Sequence, residues 1–222
     1  MQVLIVHSHV EPKSFNGALT RTAVTALQQA GHTVVVSDLH AMNFNPLSDR
    51  SSFTTVKDPD YFKQQAEEQY ATEHDGFAAD LEAEIRKLEA CDLLIFQFPL
   101  SWFGLPAMLK GWVDRVLAMG RTYGGGRVYA TGVFRGKRAI LSVTTGGSEA
   151  QYTAGGTHGD VNGVLRPIHR GIFQFIGCDV LRPQISWGPA RATDEQRAAM
   201  LTAWGNRVVG LFDEVPMDVG MY

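Results

Sequence analysis

"LLIFQFPLSWFGLPAMLKGW", residues 93–112, passes from one structural pattern to another with little room between them. Leu93 to Phe98 is a near-continuous apolar run, the pattern of a strand covered on both faces rather than one half in solvent. Pro99 has no N–H for a sheet ladder and closes the run. Leu105, Met108, Leu109, Trp112, Val113, Val116 and Leu117 then fall at helical spacing, with Pro106 in the first turn, where its missing N–H does no harm. A fully buried strand leading at once into an amphipathic helix is part of a β-α-β unit. Between the two, Leu100, Trp102, Phe103 and Gly104 crowd a loop tip. Exposed apolar side chains gathered there call for a flat surface to cover them.

Outward from this stretch the same alternation repeats. Val3–Val6 and Thr33–Val36 read as strands, separated by a helix whose apolar positions are Phe15, Leu19, Ala23, Ala26, Leu27 and Ala30, with Ser14 as N-cap and Gly31 as stop. Residues 40–75, with Pro46 and Pro59, read as a long irregular connection of functional or interfacial character. Leu81, Ile85 and Leu88 mark a helix before the quoted strand. After it come a strand at Ala139–Thr144, a Gly-rich loop, a helix over Val161–Ile176 containing Pro167, and a fifth strand at Val180–Trp187. The last helix opens on the capping-box pair Thr193 and Gln196 and carries Met200, Leu201, Trp204, Val208, Leu211 and Phe212 on one face. Five such strands predict a single α/β domain over residues 1–222, a doubly wound five-stranded parallel sheet of flavodoxin-like order 2-1-3-4-5 with helices on both faces. In that order the ligand site lies beyond the carboxyl ends of the strands. Ser8–Asn16, Phe96–Gly104 and Thr144–His158 all emerge there.

Composition narrows the function classes. A 45% hydrophobic and 19% charged chain is ordinary for a globular protein, and a formal net charge of -3 leaves no basic footprint for nucleic acid. No apolar run approaches the ~20 residues of a membrane span. The start lacks the charged and small-residue pattern of a signal peptide, so the expected compartment is the cytoplasm. Cys91 and Cys178 are too few and too far apart for a disulfide framework or metal knuckle, and read as buried thiols.

The three loops carry the chemistry. His7–Leu19, "HSHVEPKSFNGAL", has neither G-x-G-x-x-G nor a P-loop. Ser14, Phe15 and Asn16 nevertheless put free N–H groups at a helix N-terminus, which suits a phosphate; an ordinary capped turn has the same sequence. His7 and His9 form a possible metal pair with no further ligand set at suitable spacing, so no metal is expected. Ser101 lacks the G-x-S-x-G elbow of a hydrolytic nucleophile. In Thr144–Asp160, "TTGGSEAQYTAGGTHGD", Gly146 and Gly147 let backbone approach a planar ligand, and Tyr152 and His158 offer two donors to its edge. Donors so placed stabilise the negative charge of a reduced flavin around N1 and O2. A plain surface loop holding an incidental Tyr and His is the alternative.

Together, "FPLSWFGLPAMLKGW", "TTGGS" followed by Tyr152 and "HGD", and His9 with Glu11–Asn16 resemble the NAD(P)H:quinone oxidoreductase (DT-diaphorase-like) family of flavodoxin-like flavoproteins. The resemblance runs from about Val3 to Phe212. It implies FAD, with FMN as the alternative used by shorter relatives, in a homodimer whose sites lie at the subunit interface. It places His9, Ser14, Phe15, Asn16 and Ala18 at the flavin's phosphate end, and Pro99, Leu100, Trp102 and Phe103 on the isoalloxazine. Thr144, Thr145, Gly146, Gly147 and Tyr152 line the ring's polar edge, and Arg197 lies near the adenine phosphate. Trp102, Phe103, Tyr123 and His158 would form the substrate wall, and Tyr152 and His158 the catalytic donors. The implied reaction is ping-pong hydride transfer from NADPH or NADH through the flavin to a small quinone. Two departures stand out. The C-terminal extension of the larger animal members is missing, as in the shorter bacterial form, and Gly125 replaces a family tyrosine after Tyr123. A flavodoxin-type FMN electron carrier and an ancillary subunit of a potassium-efflux system are the rival functions.

Overall fold

The apolar run after Met1 has no solvent face. In the computed structural model, which describes residues 1–220, β1 (Gln2–His7) lies inside a parallel sheet with every residue from Val3 to His7 buried. β2 (Thr33–Asp38) pairs with it on one side and β3 (Leu93–Pro99) on the other. β4 (Arg138–Thr145) follows β3, and two short segments, β5 (Asp179–Val180) and β6 (Gln184–Trp187), share the far side of β4. The strand order is 2-1-3-4-5, as the sequence indicates.

Side-chain alternation divides the sheet residues between two cores. On one face Val3, Ile5, Leu93, Ile95 and Ile140 pack under α1 (Phe15–Gln29) and α6 (Asp194–Val208), where Leu19, Ala23 and Leu27 of α1 meet Trp204 and Val208 of α6 and Leu211 just beyond it. The indole N–H of Trp204 donates to the Leu19 carbonyl at 3.2 Å, so this large ring enters the core with its polar atom satisfied. On the other face Leu4, Val6, Leu94, Phe96, Phe98, Leu141 and Val143 pack under α3 (Ala79–Ala90), α4 (Ala107–Val116) and α5 (Val161–Ile168). Phe96 and Trp112, both from the quoted stretch, meet edge to face at 5.7 Å. Each such fully buried side chain contributes about 1.5–3 kcal/mol.

Four elements differ from the sequence reading. Residues 40–75 are not all irregular: α2 (Gln64–Glu73) lies within them. Its inward positions include Glu67 and Glu68, which breaks the apolar periodicity. Their burial is offset by backbone donors, Lys57 and Asp58 N–H to Glu67 and Met119 N–H to Glu68. The helix expected over Val161–Ile176 is α-helical only to Ile168 and continues as a π-helical turn, His169–Gln174. Pro167 lies at that junction, where its missing N–H and its ring disturb the α pattern. The fifth strand is interrupted between Val180 and Gln184, where Pro183 has no N–H to donate. The last helix ends at Val208, and Leu211 and Phe212 reach the core from the following turn.

Cys91 and Cys178 are free and buried; burial pushes the Cys91 thiol up to about 11 and the Cys178 thiol higher still. Among the described residues no helix is long and apolar enough to cross a membrane.

Candidate active site

β1, β3 and β4 end side by side, and the loops that follow them meet. After β1 the chain turns tightly: Ser14 N–H donates to the Glu11 carbonyl, and Ser14 Oγ caps α1 by accepting from Gly17 N–H at 3.1 Å. His9 Nδ1 accepts from Glu11 N–H at 3.0 Å and so shapes this loop from within. Gly17 is obligatory here, because a Cβ on it would sit 2.3 Å from the Pro12 carbonyl oxygen. The N–H groups of Phe15 and Asn16 are first-turn donors with no helical acceptor, set at the positive end of the helix dipole. Ala18 is half-buried behind them, its N–H bonded to the Ser14 carbonyl. The Asn16 side chain turns inward, where it donates to Thr144 Oγ1 at 2.9 Å and accepts from Gln97 at 2.8 Å.

The loop after β3 is strained. Leu100 N–H donates to the Thr144 carbonyl, which ties the half-buried Pro99–Leu100 segment to β4. Ser101 and Gly104 then exchange both backbone hydrogen bonds, closing a two-residue hairpin around Trp102 and Phe103, whose φ angles are +49° and +61°. Such a turn belongs to Asn-Gly or Gly-Gly; for bulky aromatics each left-handed residue costs about 1–2 kcal/mol. Trp102 regains nothing from packing, since it is 97% exposed. Strain kept at an exposed aromatic tip points to function.

Opposite stands the loop after β4. Phe103 meets His158 edge-on at 5.6 Å and lies 6.3 Å from Tyr152. Tyr152 and His158 are 4.8 Å apart, and Trp187 backs Tyr152 at 5.5 Å. A Cβ on Gly147 would strike Tyr152 and Gln151, so Gly147 makes room for the tyrosine. Gly146 is different: a Cβ there meets nothing within 4 Å, its φ is ordinary, and it is exposed. Packing does not require that glycine, whereas a planar ligand lying on the backbone would. Thr145 Oγ1 donates to the Gly147 carbonyl, and the exposed Arg191 donates to that of Gly146 at 2.7 Å. Beneath the loops His7 Nδ1 lies 2.9 Å from Thr20 Oγ1, and burial holds its pKa below the usual imidazole range. Ser8 Oγ is buried there without a partner among the described residues. A shelf of open backbone faced by aromatics, with free amide donors at one end, fits a flat heterocycle carrying a phosphate.

Two expected residues stand apart from this cluster. Tyr123 packs against Phe175 at 5.6 Å, accepts from Gln65 at 3.4 Å, and lines a hollow of about 340 Å³ with α2 and α4 that shares no residue with the loops. Arg197 directs its guanidinium to the Pro189 and Ala192 carbonyls and to Asp194, bracing the entry to α6. Gln97, Trp187 and Arg191 join the site without having been expected. Only Gln97 leaves a clear sequence signal, as the one amide inside the apolar run of β3.

A family model for the flavodoxin-like fold matches residues 1–208. The chain is also 44% identical over 217 residues to ribosyldihydronicotinamide dehydrogenase (quinone) of Homo sapiens, covering 97% of this chain and 94% of that one. It belongs to the flavodoxin-like NAD(P)H:quinone oxidoreductase family. Within that family, NAD(P)H dehydrogenase (quinone) 1 of Cavia porcellus is likewise 44% identical, with 97% of this chain and 79% of that one covered. A candidate quinone reductase of Klebsiella pneumoniae, known from its crystal structure, superposes with a TM-score of 0.94 at 38% identity, covering 97% of this chain and 86% of that one.

Proposed function

We propose that the protein is a flavin-dependent NAD(P)H:quinone oxidoreductase, with FAD preferred over FMN and NADPH or NADH as reductant. The observation that carries this reading is the strained Trp102–Phe103 turn, held beside Tyr152 and His158 and across from the open backbone of Gly146. A flavin bound there would supply the two-electron redox chemistry that links a reduced nicotinamide to a quinone in two half-reactions. The N–H groups of Phe15 and Asn16 hold the phosphate end, with His9, Ser14 and Ala18 shaping the loop around it. Pro99, Leu100, Trp102 and Phe103 form the wall on which rings stack, and Thr144, Thr145, Gly146 and Gly147 border the polar edge. Stacking within ~3–3.5 Å of the reacting atom is most of what positioning must achieve. Tyr152 and His158 direct donors to the edge where negative charge develops.

The half-exposed Phe103 and the fully exposed Trp102 leave one side of the shelf open, and a second copy of the chain would roof it. A homodimer is therefore part of the reading, with Tyr123 meeting substrate only across that interface. A cytoplasmic location agrees with the buried, unpaired cysteines. The test is direct. The purified protein is expected to be yellow, to release one flavin per chain identified against FAD and FMN standards, and to oxidise NAD(P)H only when a quinone is present. A colourless protein that neither flavin can reconstitute would refute the reading; turnover that needs a protein partner would make it a carrier instead.

A further inference from the structure

The α1–α6 face of the sheet changes character along its length. Its lower rows are the apolar Val3, Ile5, Leu93, Ile95 and Ile140. Alternation then brings His7, Gln97, Ser142, Thr144 and Ser186 to the upper end of the same face, and all five are buried. His7, Gln97 and Ser142 lie in one cross-strand row, Thr144 and Ser186 in the next. α1 meets this polar layer with Asn16 and, one turn later, Thr20. Thr20 bonds His7 of β1, while Gln97 Nε2 of β3 donates to Asn16 Oδ1 at 2.8 Å and Asn16 Nδ2 donates to Thr144 Oγ1 of β4 at 2.9 Å. Asn16 in the first turn of α1 and Thr20 in the second thus clamp the start of the helix to three strands by bonds shielded from water.

We propose that Gln97 is a positioning residue for the phosphate end of the cofactor, acting through Asn16; the inference rests on the flavin reading above. Gln97 selects the Asn16 rotamer, and so sets where the free N–H groups of Phe15 and Asn16 point. Through Thr144 the same chain keeps the tip of α1 in register with the Gly146–Gly147 loop. The direction of the bonds matters: Asn16 accepts from one side and donates to the other, so Thr144 Oγ1, having accepted, keeps its own hydrogen to donate. Leucine at position 97 leaves Asn16 Oδ1 buried without a donor and frees its rotamer.

The experiment titrates apoprotein with FMN and with riboflavin, which lacks the phosphate, following flavin fluorescence. In the parent, FMN is expected to bind more tightly. In Gln97→Leu, FMN should weaken at least about tenfold, equivalent to about 1.4 kcal/mol, with riboflavin changed by less than about threefold. Gln97→Met, close to glutamine in length but without an N–H to donate, decides the matter should Gln97→Leu not fold. Equal weakening of both flavins would make Gln97 merely structural and overturn the proposal, as would unchanged FMN affinity in folded variants. A parent that binds neither flavin defeats the flavin reading itself, and that outcome is distinct from a binding parent whose variants match it.

Discussion

His169 is 1% exposed, its Nε2 is buried without a partner among the described residues, and burial pushes its imidazole down to about 4. In the unfolded chain the same group titrates near 6.5. Above that value both states are neutral and His169 imposes no charge penalty. As the pH falls, the unfolded chain takes up a proton that the folded one refuses, so stability is lost between 6.5 and about 4 and levels off below. The gap of roughly 2.5 pH units, at 1.36 kcal/mol per unit, gives about 3 kcal/mol in all, of which about 2 kcal/mol is gone by about pH 5. His169→Leu removes the titrating group and keeps an apolar side chain in its place. Urea unfolding of parent and variant at about pH 7.5 and about pH 5, at one fixed protein concentration, isolates this group, because every other titration is shared. The variant should gain about 2 kcal/mol on the parent between the two pH values. Parallel pH profiles, within about 0.5 kcal/mol, would show that His169 is protonated or solvated in the fold and refute the reasoning.

Two further outcomes concern the site. Trp102→Asn puts a residue that tolerates left-handed backbone where Trp102 now pays for it in strain; the melting temperature of the apoprotein should rise by about 2–4 °C while the KM for NAD(P)H or quinone increases about tenfold or more, and a lower melting temperature would mean the turn is not strained, an unchanged KM that the ring does not meet substrate. Tyr152→Phe keeps the packing on Trp187 and His158→Gln keeps a donor of different reach, so both should retain flavin content and the parent's oligomeric mass but be reduced by NADPH about tenfold more slowly in anaerobic stopped flow. Parent rates in both variants would reduce the loop to a wall.

Where apolar spacing was continuous, sequence and structure agree: Leu93–Phe98, the Leu105–Leu117 stripe and the α1 positions lie where their periodicity indicates. The strand order followed from five such strands alternating with helices. α2 escaped because Glu67 and Glu68 occupy inward positions and are satisfied by backbone N–H groups from distant segments, which no local pattern records. The π-helical turn and the break at Pro183 are likewise departures from regularity that a proline signals without specifying. In the site, the three loops converge as expected, yet Asn16 faces inward, Arg197 braces its own helix, and Tyr123 stands apart. Those are facts of side-chain direction and tertiary partnership, not of residue type. The left-handed Trp102 and Phe103 are the reverse case, since neither residue type suggests that conformation.

The packing of α1 against α6 also bears on how the chain is made. The indole that covers Leu19 is Trp204, 185 residues further along. During synthesis β1 and α1 emerge before α6, and the apolar stripe of Leu19, Ala23 and Leu27 must wait for the intervening chain before its cover exists. Early strands can pair with one another in the meantime, but this core cannot close until α6 has emerged. A nascent chain halted before α6 therefore carries an uncovered hydrophobic stripe, the kind of surface that chaperones hold, and α6 is the element whose arrival closes it.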